Sequence, residues 1–399
     1  MELLYLSHCV PTPPDKGEKI RSHHELLYLL RTHSVHLVCF ARSASEAESA
    51  RQLSNRCRSV YVERLSAKTA LAGAAIRYAF GACLTTSFYG SRRMKHYVRD
   101  LASRVPLAAS IAYSSAMGPY APEGVPLLLD MVDVDSEKWR QYASSRNPGF
   151  LYGIESRRLN EVEIQLARRA RCTFLATQQE LQVLRRSAGN VVQAVAMENG
   201  VDLEYFDPDQ TLHNATLQDR RFLAFVGAMD YYPNSDGACR FAAAVFPKLR
   251  QLDPKLEFFI VGRNPSRSVR SLSKTPGITV TGTVSDVRPY LAAAQMVVAP
   301  LGIARGIQNK VLEALAMGKF VLASRAVCNT FGRDLPEGIL PCGTDDDFVE
   351  SYRRICNIDS RAHAARIRSE AYRRFSWSHN LALLDGELSG LCPAIGSHG

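Results

Sequence analysis

The chain has no pair of cysteines in Cys-x-x-Cys spacing, although ten cysteines are scattered from Cys9 to Cys392. That spacing marks zinc and dithiol sites, so neither is expected. Several of the ten, such as Cys39 in Val35-His-Leu-Val-Cys-Phe40, stand in apolar strand-like runs. Buried free thiols in a reducing compartment fit that placement. No uninterrupted apolar run is long enough to cross a bilayer. The opening Met1-Glu-Leu-Leu-Tyr-Leu-Ser-His8 lacks the basic lead and apolar core of a secretion signal. A cytoplasmic protein is expected, with the inner face of the cytoplasmic membrane as its one alternative station. Low-complexity tracts and short repeats are missing too. So are basic stripes with interleaved aromatics, which argues against a nucleic-acid partner.

What the chain does have is length and alternation. Its 399 residues, 46% hydrophobic and 22% charged, suit two globular domains better than one. The formal net charge of +10 suits anionic partners such as nucleotide phosphates, a lipid pyrophosphate or an acidic membrane. Short β-branched runs alternate with amphipathic stretches throughout, the signature of parallel sheets covered by helices. In the first half strands are expected over 3–7, 35–40, 59–63, 127–130, 172–176 and 191–197. Helices are expected over 17–31, 43–54, 92–103 and 154–170. A polar stretch over 199–219 reads as a linker. The plan then restarts, with strands at 221–227, 256–262, 278–281, 296–300 and 320–324 and helices at 236–252 and 308–317. The expected fold class is therefore α/β, with two doubly wound parallel-sheet domains. Ligands of such sheets lie outside the carboxyl ends of the strands, and facing domains make the crevice between them a natural active site.

The most informative stretch is Val298-Ala-Pro-Leu-Gly-Ile-Ala-Arg-Gly-Ile-Gln-Asn-Lys-Val-Leu-Glu-Ala-Leu-Ala-Met-Gly-Lys-Phe-Val-Leu-Ala-Ser324. It reads as strand, glycine-bearing loop, helix, Gly318 stop and strand. The free amides of the loop and helix start form a phosphate site. Gly306, Ile307, Gln308 and Asn309 line that turn, Lys310 adds a cation, and Glu313 lies one turn on. A carboxylate there can accept both hydroxyls of a ribose.

This segment resembles the donor-binding signature of GT-B glycosyltransferases of family 4, the glycosyl transferases group 1. Asn199-Gly-Val-Asp202 with Phe206 and Pro208 is similar to the family's linker motif, and Phe225-Val-Gly227 and Val261-Gly-Arg263 extend the likeness. Within the family, Pro14-Asp-Lys-Gly-Glu-Lys-Ile-Arg21, Asp133-Val-Asp-Ser-Glu-Lys-Trp139 and Phe375-Ser-Trp377 resemble exosortase (PEP-CTERM) associated exopolysaccharide sugar transferases. The resemblance implies GT-B architecture. It assigns 1–205 to an acceptor-side Rossmann-like domain and 206–375 to a donor-binding one, with a last helix over 376–390 packed back on the first. It also implies transfer of a sugar from a nucleotide-sugar donor to a saccharide or lipid-linked acceptor, with retention and without a metal or other cofactor. Asp133-Val-Asp135 matches a metal motif in letters but stands in the wrong half. The donor residues implied are Gly227, Arg263, Arg305, Gly306, Ile307, Gln308, Asn309, Lys310 and Glu313.

Two departures stand out. Arg305 occupies the place of the family's first glutamate, eight before Glu313, and no basic pair follows the strand ending at Gly227. Arg305, helped by Arg263 and Lys310, is expected to supply the missing charge to the diphosphate. An acidic donor sugar, or plain solvation of a loop arginine, are the other readings. In the first half, Lys16, Gly17 and Arg21, with Lys19, are expected to border a phosphate near the first strand's end. Asp130 and Asp133 are the candidate catalytic carboxylates, placed to orient or deprotonate an acceptor hydroxyl. Asp135 reads rather as a helix N-cap, and Trp377 as a packing anchor. His8, His23 and His24 crowd the first loop and helix, and none is favoured as a base. Residues 65–89, apolar with basic flanks, read either as a shallow membrane contact or as a buried helix pair. A non-catalytic sugar-nucleotide-binding partner and a sugar-nucleotide 2-epimerase are the rival functions. If Arg305 grips the diphosphate, Arg305→Ala weakens donor binding about tenfold or more; calorimetric titration showing unchanged affinity would dismiss that role.

Overall fold

The computed structural model describes residues 1–391 apart from 146–147, 212–213, 305 and 359, and leaves the side chains of 145, 360 and 361 undescribed. The chain forms two compact units, one of residues 1–198 with the segment from 381 on, the other of residues 199–380. Each is built on one all-parallel sheet.

The first sheet comprises β1 (Glu2–Ser7), β2 (Ser34–Ala41), β3 (Ser59–Arg64), β4 (Ala109–Tyr113), β5 (Leu127–Val132), β6 (Cys172–Leu175) and β7 (Ala194–Ala196), in the order β3-β2-β1-β4-β5-β6-β7. The second comprises β8 (Phe222–Val226), β9 (Glu257–Val261), β10 (Ile278–Gly282), β11 (Met296–Ala299), β12 (Val321–Ser324) and β13 (Ile339–Cys342), in the order β10-β9-β8-β11-β12-β13. Strand order reverses between β1 and β4, and again between β8 and β11. Those two gaps are the switch points where a doubly wound sheet leaves room for a ligand. The central strands are buried on both faces, as helices on either side of a parallel sheet require.

Two strands were not expected from the sequence. β4, Ala-Ser-Ile-Ala-Tyr, is poor in β-branched residues but sits in mid-sheet, where small side chains pack under helices. β13 carries Pro341, tolerated because β13 is an edge strand and one side of its ladder is unpaired. The expected helix over 236–252 begins earlier, at Tyr232, and contains a π turn over Phe241–Val245. Pro247, which has no N–H and displaces the carbonyl four residues before it, accounts for that turn. The stretch 199–219 is not a bare linker. Val201, Phe206 and Leu217 are buried in the core of the second unit. Val201 donates its amide to the Phe375 carbonyl at 2.7 Å, and Gly200 lies against the buried Trp377, whose indole a Cβ at 200 would approach to 2.7 Å. Every described cysteine is a free thiol.

The first unit is organised around an ion pair that joins the helix Gly17–Leu29 to β5. Arg21 Nε and Nη2 donate to the two carboxylate oxygens of Asp130 at 2.5 and 2.9 Å, and Nη1 donates to the Met197 carbonyl at 2.6 Å. Both side chains are fully buried. Glu25, one turn on, accepts from Tyr5 Oη at 2.6 Å, and burial together with Asp130 pushes its carboxyl up to about 8. Asp130 is the carboxylate in direct contact with the guanidinium. β5 carries a bulge between Asp130 and Val132, where Val132 adopts φ of 67°. That turn aims the Val132 amide at the Asp130 carboxylate while its carbonyl accepts from Ala176.

Asp130 and Arg21 therefore hold the fold rather than face a substrate. Asp130→Asn leaves a buried guanidinium without its counter-charge and is expected to cost about 3–5 kcal/mol, read as an earlier urea midpoint for the first unit.

Candidate donor site

The site lies at the switch point of the second sheet. β8 ends at Val226 and delivers Gly227. β11 ends at Ala299 and leads through a loop to the helix Asn309–Ala316. The close approach of these segments depends on glycine. Gly262, which follows β9 at φ of 146°, is packed so tightly that a Cβ there would fall 1.8 Å from the Gly227 carbonyl oxygen. A Cβ on Gly227 would meet Asn234 Nδ2 at 2.7 Å and Lys310 Nζ at 3.1 Å. Lys310 thus reaches back from its helix to the end of β8, where no basic pair follows the strand. Its Nζ donates to Asn234 Oδ1 at 2.5 Å and lies 4.8 Å from the centre of the Phe225 ring. Asn234 is itself fixed by donating to the Ala228 carbonyl at 2.9 Å.

Glu313 stands one turn beyond Lys310. Its carboxylate makes no hydrogen bond to protein among the described residues, and burial pushes it up to about 7 against the opposing pull of Lys310. Burial lowers Lys310 to about 8, with Glu313 pulling the other way. Among the described residues, neither of the two opposite charges in this half-buried turn is matched by a direct ion pair. The same helix begins without a side-chain cap: Gln308, at the cap position, instead donates to the Gly306 carbonyl at 3.2 Å, where Gly306 adopts φ of 60°. Its first amides remain available for an anion. Ile307 turns inward and is buried, anchoring the loop. Arg263 follows β9, and its carbonyl accepts from the Met229 amide at 2.8 Å, tying it to the loop after β8. Arg305 lies outside the described residues.

Three contributors escaped the sequence reading. Asn234 orients Lys310. Asn199 donates to Asn309 Oδ1 at 3.2 Å, linking the Asn-Gly-Val-Asp turn to the helix start. Tyr205, whose pKa is raised by burial first, with Asp286 and Glu313 adding to the rise, is covered by Arg288, 3.9 Å from its ring. Pro233-Asn234 directly after a strand end was the available signal for the first. The other two depend on contacts across long sequence separations.

The residues expected at the first sheet divide differently. Arg21 is withdrawn into the core with Asp130, a correction to the expectation that the pair would meet phosphate and acceptor. Lys19 is likewise buried, 3.0 Å from Glu46 and 3.3 Å from Asp15. Lys16 remains partly exposed, 3.7 Å from Glu46. Gly17 opens the helix with no atom within 4 Å of a notional Cβ, so nothing in the fold demands glycine there. Asp133 is half-buried just past the β5 bulge. Asp135 is the first residue of the helix Asp135–Ser145 rather than its cap. His8 stacks on Tyr113 with ring centres 5.4 Å apart, and burial lowers its pKa.

Residues 220–357 match the family model described as Glycosyl transferases group 1. No curated protein matches the chain by sequence. Among solved structures, sucrose-phosphate synthase from Thermosynechococcus elongatus superposes with a TM-score of 0.69 at 16% identity, covering 98% of this chain and 99% of that one. Anabaena HepE in complex with UDP gives 0.68 at 13% identity, covering 98% and 100%. WaaG, a glycosyltransferase involved in lipopolysaccharide biosynthesis, gives 0.65 at 13%, covering 96% and 99%. These likenesses establish the two-domain GT-B fold.

Gly262→Ala is expected to destabilise the second unit by about 2–5 kcal/mol, from backbone strain and overpacking, while Gly17→Ala stays within about 0.5 kcal/mol; urea unfolding of both variants checks the contrast. Residues 220–357, which hold this site, thus match the Glycosyl transferases group 1 family model, on a fold shared with solved glycosyltransferases.

Proposed function

We propose that this enzyme transfers a sugar from a nucleotide-sugar donor, held by the second unit, to a saccharide or lipid-linked acceptor, with retention and without a metal, in exopolysaccharide biosynthesis. The observation that carries the donor reading is the Lys310–Glu313 turn, where a cation and a carboxylate are half-buried without direct ionic partners among the described residues. A nucleotide sugar supplies both complements. Its diphosphate meets Lys310 and the uncapped helix amides, and its ribose hydroxyls donate to Glu313. Leaving-group charge grows on the diphosphate as the glycosidic bond breaks, so preorganised donors at this place lower the barrier. The solved HepE complexes with UDP and UDP-glucose, on the same fold, support a uridine nucleotide as the first donor to try. The exopolysaccharide role and the exosortase-associated subgroup rest on the motifs at Pro14–Arg21, Asp133–Trp139 and Phe375–Trp377. Asp133, exposed in part beyond β5, is the remaining carboxylate proposed to orient the acceptor hydroxyl.

The two shifted groups set a pH signature. Lys310 holds its proton below about 8, and Glu313 is ionised above about 7. Binding needs the charged form of each, so affinity for UDP-glucose is greatest between those values. It falls on either side, approaching roughly tenfold per pH unit. Glu313→Gln removes the acid limb and lowers peak affinity about tenfold or more, whereas Lys310→Met removes the basic limb. Calorimetric titration of UDP-, GDP- and dTDP-glucose across this range tests the reading. Failure of all three donors to bind, or a Glu313→Gln profile like that of the unmodified protein, refutes it.

A further inference from the structure

The helix Ala67–Ala79 is apolar, yet Ala74 is its only buried residue. Leu71 is 55% exposed, Ile76 63% and the following Phe80 88%. Ala72, Ile76 and Phe80 recur at four-residue spacing and share one face, with Leu71 and Ala75 beside it. Next to them, Phe150 at the start of the helix Gly149–Arg169 is 69% exposed. Tyr78 Oη donates to the Leu151 carbonyl at 3.2 Å, which brings the two apolar elements together.

The hairpin of Ala67–Ala79 and the short helix Leu84–Phe88 is not held by these side chains. It is held from beneath by polar anchors on Gly149–Arg169. The buried Glu155 accepts from the amides of Leu84 and Thr85 at 2.7 and 2.8 Å and from Thr85 Oγ1 at 2.7 Å. Arg158 donates to the carbonyls of Tyr78 and Ala82 at 2.7 and 3.1 Å. The apolar face is thus left out of the fold's own packing, and a patch of this kind marks an interaction surface.

Charge decides the occupant. Between Glu63 and Asp100 the chain has no acidic residue but seven lysines and arginines, among them Lys68 at the helix start and Arg92, Arg93 and Lys95 on the next helix. A second copy would set these cations against one another. An acidic bilayer neutralises them while taking up Leu71, Ile76 and Phe80. A helix of 13 residues is about 20 Å long and suits lying in the interface, not spanning it. We infer that the hairpin Ala67–Phe88, with Phe150, is a membrane-docking surface that inserts shallowly into an anionic leaflet. Its chemistry is independent of the donor site, so its failure leaves that reading intact.

Co-sedimentation of the full chain with vesicles tests this. Binding is expected to vesicles of phosphatidylcholine with phosphatidylglycerol, with little to phosphatidylcholine alone, and to weaken at high salt. The double variant Ile76→Glu, Phe80→Glu is expected to bind at least about tenfold more weakly while keeping the thermal midpoint and UDP-glucose affinity of the unmodified protein. Val191→Glu, at an exposed apolar position away from the patch, keeps full binding. No binding to the anionic vesicles, or equal binding by the double variant, overturns the inference. So does a vesicle-free dimer that the double variant abolishes, because the occupant is then a second copy.

Discussion

The contact between Arg21 and Asp130 is the constraint on which the first unit rests. It joins the first crossover helix to a central strand, and through the Met197 carbonyl it reaches the end of the sheet's last strand. A buried guanidinium is tolerable only when its donors are met, and here a bidentate carboxylate and a carbonyl meet three of them. The second unit uses buried charge in the opposite sense. Among the described residues Lys310 is met by a neutral amide and Glu313 by no hydrogen bond, so burial moves both toward their uncharged forms. A saturated pair belongs to the architecture. An unsaturated pair with shifted pKa values marks a candidate site.

The alternating pattern made the two parallel sheets legible, since apolar runs of strand length separated by amphipathic stretches admit few other folds. The donor helix was legible for a related reason: strand, glycine loop, helix and glycine stop all lie within one short segment, and local sequence determines them. Arg21 was misread because Lys16, Lys19 and Arg21 look like a solvated basic helix start. The burial of Lys19 and Arg21 is decided by Glu46 and Asp130, carboxylates distant in the chain that no local pattern connects to them. β4 was missed because its small residues carry little strand preference of their own, and only its place between β1 and β5 makes it a strand. Asn234 had a visible position after β8 but no visible partner until Lys310 came back across the sheet.

The apolar hairpin shows a different division of labour. Most surface helices are held by an apolar stripe. Here Arg158 holds the carbonyl end of the apolar helix and Glu155 holds the amides that start the next one, which frees the apolar residues from the task of folding. Polar anchoring fixes where the helix sits; the unused apolar side chains determine what it can meet.

The bulge at Val132 has a further meaning. A β-branched residue at φ of 67° is rare, and such a conformation costs on the order of 1–3 kcal/mol. Hydrogen bonds on both sides hold it, with the amide on the Asp130 carboxylate and the carbonyl on the Ala176 amide. The backbone entering Asp133 has therefore surrendered its freedom before any acceptor arrives. Whatever binds at that strand end meets a carboxylate whose main chain needs no further ordering, so the entropic penalty of shaping that corner was settled when the protein folded.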